Sequence, residues 1–337
     1  MRAAILGVGF MGWIHSVAYR RSERAEMVGF ASRSATKREG DWRGIQGNFG
    51  PPGEQIDVAG MTVCEDLDGL LADDSIDLID VCLPPHLHLD AVCRSLAAGK
   101  KVLCEKPLAL NVADAEKMMS MAAPGQLMVG HILPLMPEFA ILADAAADHR
   151  YGEILTGRFQ RTIGPPDWIP DFYDVTRVGG PLIDLQVHDA HLVRMLFGMP
   201  IAAHSASHQV SGVPKRYETV LDYDGRVVSI GGGVIDSPAR PFTHGYEVSF
   251  ERATLRFEHA AYSDGTSDDI PLTILHNDGQ IERPELAGGD PIDAFVTEIE
   301  LAARVVAGEP LPLVLDPVMA TDALKICEMQ MPSATSE

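Results

Sequence analysis

The feature that most restricts this chain is the placement of three glycines. Gly7, Gly9 and Gly12 close a short apolar run, "AAILGVG" (3–9), and open a helix-like stretch that continues to about Arg21. A strand feeding a helix through G-x-G-x-x-G leaves little freedom of fold. The first glycine permits the tight turn, the second lets the backbone approach a pyrophosphate, and the third lets helix and strand pack closely. Phe10 and Met11 then sit at a helix N-terminus, whose free N–H groups and positive dipole end attract an anion. With 31 glycines in 337 residues the motif alone is weak, and a merely structural turn is the competing reading. The strand–helix setting favours a dinucleotide.

The stretches that follow keep the same rhythm. "MVGFAS" (27–32), "LIDVCLP" (78–84) and "KKVLCEKP" (100–107) read as buried strands, with "LDAVCRSLAAG" (89–99) at helical spacing between two of them. Strands separated by helices predict a doubly wound parallel sheet, an N-terminal Rossmann domain over residues 1–123. The Gly/Pro-rich segment from Thr36 to Thr62 reads as a long surface loop, and the region from Met121 to Val129 as a linker. Residues 124–337 read as an α+β domain with an open, largely antiparallel sheet for substrate binding and oligomerisation. Its strand signals include "EILTGRFQRT", "KRYETVLDY", "RVVSIGGGV", "GYEVSFE" and "ATLRFE", with a hairpin turn at Asp224-Gly225. One strong helix, "GGPLIDLQVHDAHLVRMLFGMP", has Pro181 in its first turn and Gly198 with Pro200 as its stop. Helices at 290–308 and 316–330 close the chain, the last a candidate to pack back on the first domain.

Charge narrows the partners. Lys and Arg total 27 against 48 Asp and Glu, a net −21, which would repel a nucleic-acid backbone or an anionic membrane. The five cysteines form no C-x-x-C pair and read as small buried hydrophobes in a reducing compartment. No apolar run reaches the ~18 residues of a membrane span, and the first residues lack a signal-peptide pattern, so a cytoplasmic location is expected.

The end of the second strand bears on which nucleotide is bound. An Asp or Glu about 20 residues after the glycines would take the ribose hydroxyls of NAD. This chain has Ser32 and Arg33 instead, then Thr36, Lys37 and Arg38. A guanidinium and a hydroxyl suit a 2′-phosphate, so NADP is preferred to NAD, against the alternative of a solvated basic turn.

Two further motifs carry chemistry. "CEKP" (104–107) ends a parallel strand, where open α/β sheets bind ligands. "DLQVHD" sets Asp184 and His188 four apart, on one face of a helix. With "GVGFMG", "CLPPHLH", "EKPLA" and "AFVTEIELAARVVAGEP", the chain resembles the glucose–fructose oxidoreductase, inositol dehydrogenase and rhizopine-catabolism (Gfo/Idh/MocA) family over nearly its whole length.

The resemblance implies an NAD(P)-dependent oxidoreductase. It would move hydride between a nicotinamide and a secondary alcohol or ketone of a sugar, cyclitol or derivative, in a cleft between the domains. Lys106 would polarise the reacting C–O, His188 would accept the hydroxyl proton, and Asp184 would position both. Pro84, His88 and Glu105 would lie beside the cofactor. The family chemistry needs no metal, although Asp184, His188, Asp189 and His191, with His86 and His88, offer ligand types. The sequence departs from the family at His131 and Pro134 and around Arg161 and Trp168. Of these, His131, Arg161 and Trp168 are candidates for the substrate pocket. Two rival activities are a redox-neutral epimerase or lyase holding its nicotinamide tightly, and a non-catalytic nucleotide-binding sensor. Alternating apolar residues in "YETVLDY" and "YEVSFERATLRFE" would meet a second subunit, as a homodimer or homotetramer.

Overall fold

The computed structural model describes residues 1–166, 171–286 and 288–331. The chain forms two compact units, one of Met1–Met136 with Gly288–Thr321, the other of Pro137–Ala287 with Asp322–Glu337. Among the described residues, no helix is long and apolar enough to cross a membrane.

The first unit is built on six parallel strands: β1 (Arg2–Leu6), β2 (Glu26–Ala31), β3 (Thr62–Cys64), β4 (Leu78–Val81), β5 (Lys101–Glu105) and β6 (Leu127–Gly130). Their order is β3-β2-β1-β4-β5-β6, the doubly wound arrangement expected. The crossovers carry α1 (Phe10–Arg21), α2 (Ala35–Arg38), α3 (Leu67–Leu71), α4 (His88–Ala97) and α5 (Val112–Met121). Helices on both faces explain why the central strands are nearly continuous apolar runs, with Ala3, Ala4, Ile5, Leu78, Ile79 and Val102 all fully buried. Asp80, equally buried in the middle of β4, and Glu105, buried at the end of β5, are exceptions.

Three expectations change here. A boundary at residue 123 and a linker at 121–129 would cut away β6, which pairs with β5 from Val102↔Leu127 to Glu105↔Gly130. Residues 124–337 are not one continuous domain either, because α9 (Ile292–Val306) belongs to the first unit. Its buried stripe includes Ile292, Phe295, Ile299 and Ala303, and Phe295 stacks on Phe49 at 5.8 Å. Nor is the segment from Thr36 to Thr62 a surface loop throughout. Trp42 is fully buried between Trp13 and Phe30, and Phe49 meets Phe10 edge-on. Aromatic area outweighs the turn-forming composition around it.

The second unit opens with α6 (Pro137–Ala147) and carries β7 (Ile154–Ile163), α7 (Gly180–Asp184) and α8 (Gln186–Phe197). After these come β8 (Ala202–Val210), β9 (Val213–Tyr223), β10 (Arg226–Val234), β11 (Phe242–Phe250), β12 (Ala253–Ala261), β13 (Ser267–His276) and β14 (Ile281–Glu282). A last helix, α10 (Pro317–Met329), runs across the division between units. The eight strands order as β14-β13-β12-β11-β7-β10-β9-β8, antiparallel except for β7 beside β10. Asp224 and Gly225 form the expected tight turn between β9 and β10, with Gly225 at φ +75°.

The single helix expected at 179–200 is two. Leu185 separates them: its N–H bonds to Pro181 O, and His188 N–H reaches back three residues to Leu185 O. The apolar alternation of β9 also points the other way from the expectation. Tyr217, Leu221 and Tyr223 are buried toward this unit's own helices, and Tyr217 Oη donates to Pro181 O. The row facing away holds Glu218, Val220 and Asp222.

Candidate active site

The glycine loop has the geometry its chemistry requires. Gly7 adopts φ +103°, and a Cβ there would meet Cys82 O at 2.9 Å. A Cβ on Gly12 would fall 2.2 Å from Gly7 O, so helix and loop touch through that missing side chain. Over Gly9 there is open space: its chain neighbours aside, nothing among the described residues lies within 4 Å of where a Cβ would stand. Gly9 is also the N-cap of α1 and gives it no side-chain cap, which leaves the first N–H groups of the helix, at Phe10, Met11 and Gly12, without a capping side chain. These features fit a dinucleotide pyrophosphate.

The residues after β2 gather around the same loop. Lys37, at the end of α2, reaches back to donate from Nζ to Val8 O at 2.5 Å, and partial burial holds its pKa below the ordinary lysine value. Ser32 is half-buried and its carbonyl accepts from Arg38 Nη1 at 2.7 Å. Arg33 is exposed.

Lys106 follows β5 at the carboxyl end of the parallel sheet, the end from which the glycine loop leaves β1. Its side chain is half-exposed, and a cis peptide links it to Pro107. Its backbone N–H donates to Glu105 Oε2 at 3.0 Å. The other Glu105 oxygen lies 2.9 Å from His15 Nε2, so this carboxylate is engaged from inside the fold. Pro84 is exposed at the end of the neighbouring strand, and His88 is fully buried. The His88 ring spans Leu83 O at 2.7 Å and Pro107 O at 2.9 Å, tying the β4 end to the turn after Lys106. Burial lowers its pKa, although both carbonyls pull the other way. His131, just past β6, is buried.

In the second unit, Asp184 and His188 are the two half-exposed residues in the stretch Gly180–Val193, whose other members are all buried. The adjoining residue, Asp189, is held from β7 by Arg161: Nε donates to Oδ2 at 2.7 Å and Nη2 to Oδ1 at 3.2 Å. The Arg161 guanidinium is therefore committed to that carboxylate and lies over the Phe242 ring at 5.9 Å. Helix α8 approaches β10 closely because Gly232 has no Cβ; one there would meet Gln186 Oε1 at 3.0 Å. Trp168 lies outside the described residues.

Sequence reasoning missed His15, Asp80, Tyr19 and Glu298, which form a buried polar cluster with Glu105. His15 Nδ1 lies 2.8 Å from Asp80 Oδ2, which also accepts from Tyr19 Oη at 3.0 Å. Each is a polar residue in an apolar-looking run, so "LIDVC" carried the one available hint. His15, Asp80 and Cys82 place potential metal-binding atoms within 4.8 Å of one another. A zinc ion ~2 Å from nitrogen and oxygen would hold those two atoms about 3.3 Å apart. The nitrogen–oxygen distance of 2.8 Å is that of a direct hydrogen bond.

Comparison with known proteins bears on the family and the fold. A family model described as "Oxidoreductase family, NAD-binding Rossmann fold" matches residues 1–131, and one described as "GFO/IDH/MocA C-terminal domain" matches residues 139–256. An inositol 2-dehydrogenase of Rhizobium meliloti (strain 1021) is 26% identical over 327 residues, covering 90% of each chain. A D-xylose 1-dehydrogenase (NADP(+)) of Haloferax volcanii is 26% identical, covering 73% of this chain and 75% of its own. Among solved structures, levoglucosan dehydrogenase in complex with NADH superposes with a TM-score of 0.76 at 16% identity, covering 98% and 95% of the two chains. At that identity the likeness speaks for the fold.

Proposed function

The chain belongs to the Gfo/Idh/MocA family of NAD-binding oxidoreductases, and on that premise we propose that it oxidises a secondary alcohol of a sugar or cyclitol, or reduces the matching ketone. The observation that carries this reading is the position of Lys106. It stands half-exposed at the carboxyl end of β5, on the sheet edge that also bears the open, uncapped glycine loop. The relatives named for inositol and xylose support the substrate class.

In this mechanism the Lys106 ammonium donates to the reacting oxygen and stabilises developing alkoxide charge. His188 takes the hydroxyl proton, and Asp184 orients imidazole and substrate. A bound nicotinamide supplies the hydride acceptor. His188 would be needed as the proton acceptor while the nicotinamide takes hydride, because neither an isolated alkoxide nor an isolated carbocation is low enough in energy.

NADP is the preferred cofactor in our reading, through Arg33 and Ser32 at the ribose end. Self-association through the outer face of the second sheet, where Val220 and Val227 are exposed, belongs to the same proposal. The test is turnover of Lys106→Ala and His188→Ala on a polyol and sugar panel with both cofactors. Both should lose most activity while still binding nucleotide. Near-wild-type rates in both would refute the roles. Product formed without net cofactor turnover would replace a net dehydrogenase by a redox-neutral enzyme.

A further inference from the structure

Helix α1 carries a fully buried histidine beneath the Glu105–Lys106 segment. His15 presents Nδ1 to Asp80 Oδ2 at 2.8 Å and Nε2 to Glu105 Oε1 at 2.9 Å. A neutral imidazole donates from one nitrogen only, which would leave its other lone pair against a carboxylate. The two contacts are satisfied together when the cluster holds one more proton, on the ring or on one of the carboxyls.

The remaining partners decide where that proton sits. Asp80 already accepts from Tyr19 Oη at 3.0 Å, and its other oxygen lies 3.5 Å from Cys82 Sγ. Glu105 accepts the Lys106 backbone N–H through the oxygen His15 does not use. Donors aimed at both carboxylates favour their ionised forms, leaving the proton on the ring. Burial by itself lowers the His15 pKa, but the charge of Asp80 and the Cys82 sulfur outweigh it and raise it. From α9, Glu298 faces the same cluster, fully buried, with no hydrogen-bond partner on either oxygen among the described residues. Burial pushes its pKa up to about 8; His15 opposes the rise, while Glu105 and Asp80 add to it. Burial therefore favours the neutral form of Glu298. The Phe295 ring, 5.6 Å from the imidazole, closes the site on that side.

We propose that His15 is a positioning residue, an imidazolium bonded at both nitrogens that locks the Glu105 carboxylate under the Lys106 peptide and so fixes where the Lys106 ammonium stands. The inference rests on the role given to Lys106 above. Its chain of contacts lies within one unit, from α1 through the β5 end to the residue assigned to the reacting oxygen.

The test has two arms on the full-length protein. Histidine-selective ¹⁵N labelling and long-range ¹H–¹⁵N spectra, from about pH 6 to about pH 9, report the charge of each ring. His15 should show two protonated nitrogens throughout. A single neutral tautomer, or titration at the ordinary histidine value, overturns the proposal without any variant.

In the second arm, His15→Gln should lower kcat roughly tenfold to a hundredfold with the cofactor KM changed less than about twofold. Glu105→Gln should follow it. Phe295→Leu, which loosens the same packing but keeps the bonded chain, should lower the melting temperature with kcat near wild type. An unchanged kcat in His15→Gln alongside an inactive Lys106→Ala sinks the positioning role and leaves the function standing. Full activity in Lys106→Ala sinks the functional reading, and this inference with it.

Discussion

Arg161 and Asp189 form a two-point ion pair that is almost wholly inside the second unit, and Asp189 is the residue next to His188. The strand β7 thereby grips helix α8 at the turn that exposes the proposed base. Removing one partner leaves a buried charge uncompensated, which costs about 3–5 kcal/mol, whereas replacing both by apolar groups of similar volume costs far less. Arg161→Met and Asp189→Leu should each lower the urea midpoint strongly, and the double variant should recover most of it. Equal losses that simply add would show that the pair is not the stabilising unit.

The two inner glycines of the loop should fail in different ways. Gly12→Ala would force a Cβ to 2.2 Å from Gly7 O, so the loop must shift; overpacking of this kind costs about 1–3 kcal/mol. Gly9→Ala meets nothing among the described residues and should melt like wild type. Its methyl would stand where we place the pyrophosphate, so calorimetric titration should show nucleotide affinity reduced at least about tenfold. Unimpaired NAD(P) binding by Gly9→Ala would move the pyrophosphate elsewhere.

Cofactor choice is tested at Arg33, which is exposed at the end of β2. Arg33→Ala should raise the KM for NADP by roughly tenfold, about the worth of one charge-assisted contact, and leave that for NAD nearly unchanged. The NADP contact should also weaken as salt rises, because the site is open to screening. A variant that weakens both cofactors equally points to NAD and NADP being read by a different residue.

Glu298 makes stability depend on pH in a calculable direction. Its pKa rises from 4.5 when exposed to about 8 when folded, so the native state holds the proton that the unfolded state releases. Its ionisation adds no penalty below about pH 4.5, and the penalty grows as pH rises toward 8, then levels. Wild type should therefore lose stability relative to Glu298→Gln across that window, by an amount on the order of a few kcal/mol. Parallel pH profiles from thermal melts would show that the carboxyl is not held neutral.

Much of the architecture could be read along the chain because it is set locally. Apolar runs of strand length, the φ-positive glycines at 7, 198 and 225, and Pro181 in a first turn each act within a few residues of themselves. Those signals gave the parallel sheet, the mixed second sheet and the half-exposed pair Asp184 and His188. Strand β8 escaped notice because "AAHSASHQV" is a mostly exposed edge without an apolar row. The aromatic anchors Trp42 and Phe49 were hidden by the turn-forming residues around them.

What folding alone decided is the company each polar group keeps. His15 meets Asp80 across 65 residues and Glu105 across 90, and Glu298 arrives from a helix on the far side of the second unit in sequence. No periodicity records such a meeting, because a buried charge is tolerated only when its partners are in place, and those partners are supplied by topology. The chain's order wrote the scaffold and the reactive residue types; their protonation and orientation come from the low-dielectric interior that only the folded molecule creates.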